Sequence, residues 1–179
     1  MPQNFRERLQ KGPVLCDGAM GTLLYAKGIF INRCYDELNI SQPELIRSVH
    51  HDYLQAGAEI IETNTFGANS FRLARHSLAG HVRDINVAGA HLAREAAKSF
   101  AGFVAGSVGP LGIRIEPLGK TSFEEARNAF REQIAALVEG GVDLLMLETF
   151  GYVEELHQAV LAARDVDPKI PIVAQDTID

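Results

Sequence analysis

Short apolar runs that end in polar or acidic residues recur along the chain. The runs occupy residues 14–18, 60–64, 103–107, 144–148 and 170–176. Continuous apolar runs of this length are typical of strands that are buried on both faces of a parallel sheet. Enzymes with such sheets carry their chemistry at the carboxyl ends of the strands. The pattern therefore predicts an α/β enzyme with its functional residues at these polar ends.

Helical patterns fill the segments between the predicted strands. Ser41 with Glu44 and Ser122 with Glu125 each have the spacing of a capping box, which predicts helices over 41–57 and 122–140. Two more helices are predicted around 82–100 and 153–163. The strand starts are roughly 28 to 45 residues apart, a separation that suits right-handed βαβ crossovers.

An internal repeat links two of the predicted strand ends. Residues 57–67 align without gaps on residues 141–151, which places Asn64 and Glu148 at equivalent positions. In a (β/α)8 barrel, alternate strands contribute to the same interior layer, so we expect Asn64 and Glu148 to face one pocket. A doubly wound sheet fits the same alternation, but its GxGxxG signature is absent around Gly18 and Gly21.

Composition and charge narrow the class of protein. The chain has 179 residues, 46% hydrophobic and 22% charged, which is enough apolar material for a globular core. Its net charge of -6 without a basic stripe argues against nucleic acid as a partner. Because no secretory signal or long apolar run stands out, we expect no membrane partner and a cytoplasmic protein. Cys16 and Cys34 lie outside any metal-binding spacing, and we expect both thiols to be reduced and buried.

Asp17 precedes a glycine-bounded turn, residues 18–22, whose backbone amides can converge on a small anion. A carboxylate beside free amides suits a zwitterion, because the acid takes an ammonium group and the amides take a carboxylate. This pattern points to an amino-acid ligand. The alternative is that Asp17 only caps the turn that follows it.

Glu148 ends a run of apolar residues, where a carboxylate needs a partner. It could bind a ligand ammonium group or transfer a proton, or it could form a salt bridge with Arg114. Glu62 shares a strand face with Asn64 and is expected in a buried polar network. The loop that begins at Ser107 could approach a ligand or could be only a tight turn.

Four motifs in sequence order carry a resemblance to a known family. They lie at residues 17–22, 62–69, 106–110 and 147–150. Together they resemble the homocysteine S-methyltransferase family, and the resemblance extends from about residue 12 to the end.

The resemblance implies a (β/α)8 barrel, of which this chain would contain about the first five βα units. It also implies a zinc ion that binds homocysteine as its thiolate, and a methyl donor such as methylfolate, betaine or S-methylmethionine. By motif matching, Asp17 and Glu148 would hold the substrate ammonium. The amides of Gly18, Ala19 and Met20 would hold its carboxylate, and Asn64 would line the pocket.

The chain differs from the family in its metal ligands. The family's zinc ligands are three cysteines in the later part of the barrel, and Cys16 and Cys34 do not match them. We therefore expect residues 1–179 to be a homocysteine-binding domain truncated at its C-terminus, without metal ligands. Such a chain would be inactive alone and would self-associate or require the missing half. The alternatives are a non-catalytic half-barrel that binds an amino acid, and a lyase or aldolase that uses Glu148 as a base.

Overall fold

Four parallel strands form the single sheet of the computed structural model, which describes residues 4–178. They are β1 (Ile60–Glu62), β2 (Phe103–Val108), β3 (Leu144–Phe150) and β4 (Ile172–Asp176). The strands lie side by side in chain order, β1-β2-β3-β4. A doubly wound sheet reverses its strand order at a switch point. The described residues contain no such reversal, and their order is that of a (β/α)8 barrel.

The helices vary from one turn to nearly five. They are α1 (Phe5–Leu9), α2 (Met20–Ala26), α3 (Leu38–Ser41), α4 (Pro43–Gln55), α5 (Ser70–Ala74), α6 (Val82–Ala97), α7 (Phe123–Glu139) and α8 (Val153–Val166). The four long helices α4, α6, α7 and α8 pack against one another in this order. They match the four predicted helices, whereas the short helices had no clear periodic signal. No helix within residues 4–178 is long and apolar enough to cross a membrane.

The first predicted strand, residues 14–18, is reduced to one bridge between Cys16 and Ile60. The amide of Asp17 donates to the Ile60 carbonyl at 2.9 Å, and the chain then turns away toward α2. Because the turn begins at Gly18, no longer ladder can form. Of the five predicted strands, the described residues thus contain four, with the Cys16–Ile60 bridge in place of the first.

The two predicted capping boxes have different outcomes. At α7, the Ser122 hydroxyl accepts from the Glu125 amide at 3.1 Å and the Glu125 carboxylate accepts from the Ser122 amide at 2.8 Å, as predicted. The Ser41 box is wrong, because Ser41 ends α3 and donates its hydroxyl hydrogen to Glu37 at 2.9 Å. The following helix begins instead at Pro43, which needs no acceptor for a backbone N–H.

One face of the sheet, here called the interior face, is turned away from the long helices. Alternate residues of β1, β2 and β3 form its buried apolar cluster: Ile60, Phe103, Ala105, Leu144 and Met146. Phe5 of α1 closes this cluster from below, with its ring edge-on to Phe103 at 5.5 Å between centroids. The next residues in the same alternation are Glu62, Ser107 and Glu148. The interior face therefore changes from apolar to polar toward the carboxyl ends of its strands.

The opposite face of the sheet packs against the long helices. Leu145 and Leu147 of β3 are fully buried there with Phe130 and Leu137 of α7. Burial of each such side chain contributes about 1.5–3 kcal/mol to folding. This core fixes β2 and β3 relative to each other and so fixes the positions of Ser107 and Glu148.

Candidate functional site

Three carboxylates, here called the carboxylate cluster, converge at the polar end of the interior face: Asp17, Glu62 and Glu148. Asp17 follows the bridge to β1, Glu62 ends β1, and Glu148 lies near the end of β3. They line a cavity of about 510 Å³. Its lining residues are Asp17, Gly18, Ala19, Met20, Gly21, Thr22, Glu62, Thr63, Phe66, Ser107 and Glu148. The structure thus brings together the predicted Asp17, Glu148 and glycine-bounded turn.

Glu148 is oriented by an irregular strand end and by a neighbour on β2. The pairing of β3 with β4 shifts register between Leu147 and Phe150, and Thr149 has φ of 62°. Bulges of this kind re-aim side chains beside active sites. The Ser107 hydroxyl donates to Oε1 of Glu148 at 2.5 Å. The partner of Glu148 is therefore Ser107 and not Arg114, which is exposed.

Asp17 is held by the edge of β1. Its Oδ2 accepts from the backbone amide of Glu62 at 2.9 Å. A carboxylate that satisfies a strand-edge amide is fixed in direction, so Asp17 points toward β1. Asp17 therefore contacts the Glu62 amide and does not cap the turn that follows it, which was the alternative role.

Burial and mutual repulsion make the carboxylate cluster hard to ionise fully. Burial, opposed by the Glu62 amide and reinforced by the charge of Glu148, raises the pKa of Asp17 to about 7. Burial raises the pKa of Glu62 well above its usual range, and the charge and hydrogen bonding of Glu148 add to this. At neutral pH, Glu62 therefore favours its protonated, neutral form. A cation that enters the cavity favours the ionised forms of the cluster.

The turn between Asp17 and α2 lines the same cavity. Ala19 is the N-cap of α2, and no side chain within residues 4–178 caps that helix. The hydroxyl of Tyr53 donates to the Ala19 carbonyl at 3.2 Å. A Cβ added at Gly18 would lie 3.1 Å from that hydroxyl oxygen, so glycine allows the turn to pack against α4. The turn is thus held in place by its contact with α4.

Asn64 does not line this cavity. Its Nδ2 donates to the Tyr35 carbonyl at 2.7 Å and to Asn39 at 3.2 Å. The repeat equates Asn64 with Glu148, but β1 ends at Glu62, whereas β3 continues to Phe150. After Glu62 the chain turns, so the alternation of side chains no longer carries Asn64 to the interior face. The structure therefore does not place Asn64 and Glu148 in one pocket.

The sequence points only indirectly to Glu62 and Ser107, although both line the cavity. Glu62 was expected in a buried network, and it lines the cavity because it continues the alternation that begins at Ile60. Ser107 continues the same alternation from Phe103. Counting by two along each apolar run was the signal that identifies both residues.

Phe66 explains why the loop after Ser107 has so little side-chain bulk. A Cβ added at Gly109 would lie 2.4 Å from the Phe66 ring, and the Gly109 amide donates to the Phe66 carbonyl at 3.0 Å. This loop therefore approaches Phe66 closely. The ring in turn forms one wall of the cavity.

The described residues do not fit a zinc site. Residues 4–178 contain no group of three or more His, Cys, Asp or Glu side chains arranged to hold a metal ion. Cys34 is buried as expected, and burial next to Asp36 raises its pKa to about 11. Cys16 is exposed, contrary to expectation, because nothing among the described residues covers this end of the interior face. Partial shielding and the nearby Glu62 and Asp17 charges raise its pKa as well.

Comparison with known proteins agrees with this geometry. The sequence profile of the family described as homocysteine S-methyltransferase matches residues 14–179. Methionine synthase of Mycobacterium tuberculosis (strain ATCC 25618 / H37Rv) is 33% identical over 178 residues, which cover 91% of this chain and 15% of that protein. The M. leprae (strain TN) methionine synthase is 31% identical, with 97% of this chain and 16% of that protein covered.

The fold comparison extends the likeness to three dimensions. The oxidized form of the homocysteine methyltransferase MmuM from Escherichia coli has a TM-score of 0.81 and 30% identity. The alignment covers 95% of this chain and 64% of MmuM. A metallated form of the same enzyme has a TM-score of 0.79. The chain thus spans a small part of the methionine synthases and under two thirds of MmuM. With the profile matched along nearly the whole chain, this protein belongs to the homocysteine S-methyltransferase family.

Proposed function

We propose that this chain binds L-homocysteine for S-methylation, the reaction that forms methionine. Asp17 and Glu148 hold the ammonium group of the amino acid. The amides of Gly18, Ala19 and Met20 receive its carboxylate. The observation that carries the proposal is the convergence of carboxylates from separate strand ends on one cavity that also contains a glycine-bounded turn.

Electrostatics favour an ammonium ligand in this cavity. Glu148 accepts a hydrogen bond from Ser107, and Asp17 accepts one from the Glu62 amide. These contacts orient the two carboxyl groups before a ligand arrives, which lowers the entropic cost of binding. Entry of an ammonium group relieves the repulsion that raises the pKa of Asp17, so binding favours the ionised form of Asp17.

Asn64 supports the site indirectly in this proposal. Through Tyr35 and Asn39 it fixes the turn that follows Glu62. That turn leads to Phe66, which forms a wall of the cavity. Asn64 thus stabilises this turn and does not itself contact the ligand in this proposal.

No step of the proposal uses zinc, because the described residues offer no ligand set for it. The part assigned to this chain is to bind and orient the amino acid. The methyl donor is methylfolate, betaine or S-methylmethionine. The barrel of about five βα units remains the architecture that we propose for the chain, with β1 to β4 and the Cys16 bridge as its described members.

Calorimetric titration of L-homocysteine into three variants of the chain tests the proposal. Asp17→Asn and Glu148→Gln each remove a charge that holds the ammonium, and each should weaken binding roughly ten- to hundredfold. Glu62→Gln is the matched control, because it replaces a neutral, protonated acid in the same cavity with a neutral amide. It should change the affinity by less than about threefold. Equal losses in all three variants, or none in any, would contradict the proposal.

A non-catalytic half-barrel that binds an amino acid is the second candidate, and the same cavity with its carboxylate cluster supports it. The two candidates share the cavity and differ in turnover. Incubation of the chain with homocysteine, zinc and each of the three donors tests the binding module. Methionine formation would contradict it, whereas homocysteine binding without methionine formation agrees with it and with an enzyme domain that is inactive alone.

A further inference from the structure

A second cavity, here called the arginine pocket, also has Phe66 in its lining. Its volume is about 240 Å³. Its lining includes Arg33, Asp36, Phe66, Arg72, Arg75 and His76. Arg72, Arg75 and His76 come from α5 and the residues just after it, at the i, i+3 and i+4 spacing of one helix face. Three arginines and a histidine thus surround a small volume.

Arg72 and Arg75 lie close together although they carry the same charge. A Cβ added at Gly112 would lie 3.1 Å from Nε of Arg72 and 3.1 Å from Nη2 of Arg75. The Arg75 charge is one cause of a lowered pKa for the Arg72 guanidinium, after burial. Like charges held this near each other create a local positive potential, which an anion relieves.

Backbone carbonyls fix both guanidinium groups but use only some of their N–H donors. Nε of Arg72 donates to the Pro110 carbonyl at 2.8 Å, and Nη2 of Arg75 donates to the Gly112 carbonyl. The Arg72 guanidinium also lies 5.2 Å from the centroid of the Phe66 ring, a cation–π distance. Each guanidinium has five N–H groups. Most of the donors on this pair are therefore without an acceptor among residues 4–178.

The nearby carboxylates do not neutralise the pair. Within residues 4–178 the ion pairs of arginine involve other positions, and neither Arg72 nor Arg75 forms one. Asp36 accepts from the Gly67 amide at 2.9 Å, and Glu155 accepts from the Leu111 amide at 2.7 Å. Both acids influence Arg72 through space but are already used by backbone amides. The lining of the arginine pocket keeps a net positive charge.

We propose that the arginine pocket binds an oxyanion, a carboxylate or a phosphate group, through the guanidinium groups of Arg72 and Arg75. Planar guanidinium forks match both oxyanions in geometry. The pocket shares Phe66 with the cavity that holds the carboxylate cluster. The anion site itself does not depend on homocysteine binding.

Nitrogen-15 NMR of the arginine Nε–Hε groups in the 179-residue chain tests this site, with inorganic phosphate as the probe at constant ionic strength. The signals of Arg72 and Arg75 should shift saturably. Arg75→Gln should weaken phosphate binding roughly tenfold, because it removes one charge-assisted donor group from an exposed position. Arg75→Lys keeps the charge without the fork and should lose part of the affinity.

Arg131→Gln is the matched control, since Arg131 is an exposed arginine on α7 that does not line the pocket. It should leave phosphate binding unchanged. Shifts that rise linearly without saturation, or equal losses in Arg75→Gln and Arg131→Gln, would overturn the proposal.

Competition identifies the source of the anion. Displacement of bound phosphate by betaine, S-methylmethionine or methylfolate, at concentrations where acetate does not displace it, assigns the pocket to the anionic group of a methyl donor. Retention of phosphate in the presence of all three donors assigns it to a free anion.

Discussion

Ser107 on β2 donates its hydroxyl hydrogen to Oε1 of Glu148 on β3, and the two oxygens lie 2.5 Å apart. Hydroxyl groups that donate to carboxylates form short bonds of roughly twice the strength of neutral ones. Both residues lie on the interior face where its polar end begins. The bond joins two neighbouring strand ends and turns a carboxylate toward a cavity that also contains Asp17 and Glu62.

Replacement of Ser107 by alanine should weaken homocysteine binding roughly five- to tenfold, the effect of one lost hydrogen bond. The free energy of unfolding should fall by about 1 kcal/mol for the same reason. Calorimetry and urea denaturation measure the two effects. Ser48→Ala, on the exposed side of α4, is the control and should alter neither. Unchanged affinity in Ser107→Ala would show that Glu148 needs no orientation from β2.

Homocysteine binding should tighten as the pH rises through about 7. Burial raises the pKa of Asp17 to about 7, and only its ionised form attracts the ammonium group. Between pH 6 and pH 8 the ionised fraction grows roughly tenfold, and the affinity should follow it. Calorimetry at several pH values measures the change. A profile as steep in Asp17→Asn as in the unmodified chain would assign the titration to another group.

The same shift predicts a cost in stability. The pKa of Asp17 is about 7 in the folded chain, against 3.8 for an unperturbed Asp, so the folded chain binds more protons between these values. The free energy of unfolding therefore falls as the pH rises through this range. Asp17→Asn should stabilise the chain at pH 8 by on the order of 1–2 kcal/mol, once solvent screening is allowed for.

Urea denaturation at pH 4 and at pH 8 measures this effect. The variant should gain stability at pH 8 and little at pH 4, where Asp17 is largely protonated in the folded chain. A loss of stability at pH 8 would mean that the Glu62 amide contact outweighs the cost of burying the charge.

The long elements of the fold were predictable because the apolar pattern that indicates each of them repeats over many residues. Helices α4, α6, α7 and α8 each have an apolar face of several turns, and β2 and β3 are continuous apolar runs. Short elements lack such repetition. Helix α1, which closes the interior cluster through Phe5, has only five residues, and its packing partner Phe103 is distant in sequence.

The site was predictable where local pattern decides position. Asp17 and Glu148 follow apolar runs directly, and the structure brings both to one cavity. Asn64 shows where local pattern fails. Its strand stops two residues before it, because strand length depends on pairing: Glu62 is the last residue of β1 to pair with β2. That information lies in the partner strand.

The two Ser-x-x-Glu motifs should respond differently to the same substitution. Ser122→Ala should lower the free energy of unfolding by about 1 kcal/mol, because it removes the hydroxyl that caps α7. Ser41→Ala should cost less than about 0.5 kcal/mol, since Ser41 makes only an exposed contact with Glu37. Paired urea denaturation curves measure the difference. Equal losses in the free energy of unfolding would indicate that Ser41 also caps a helix.

Asn64→Ala should affect stability more than affinity. Asn64 is buried, and its loss leaves the Tyr35 carbonyl and Asn39 without their partner, at a cost of about 1–3 kcal/mol. The homocysteine affinity of the folded fraction should change by less than about threefold. Asn128→Ala, at an exposed position of α7, is the control. Loss of homocysteine binding without a change in the free energy of unfolding would indicate that Asn64 contacts the ligand directly.

Calorimetric comparison of L-homocysteine with its desamino analogue, 4-mercaptobutanoate, tests the central claim most directly. The analogue keeps the thiol and the carboxylate and lacks only the ammonium group. If Asp17 and Glu148 hold that group, the analogue should bind the unmodified chain roughly a hundredfold more weakly, the effect of two lost charge-assisted contacts. Equal affinity for the two compounds would contradict the assignment of the carboxylate cluster to an amino acid.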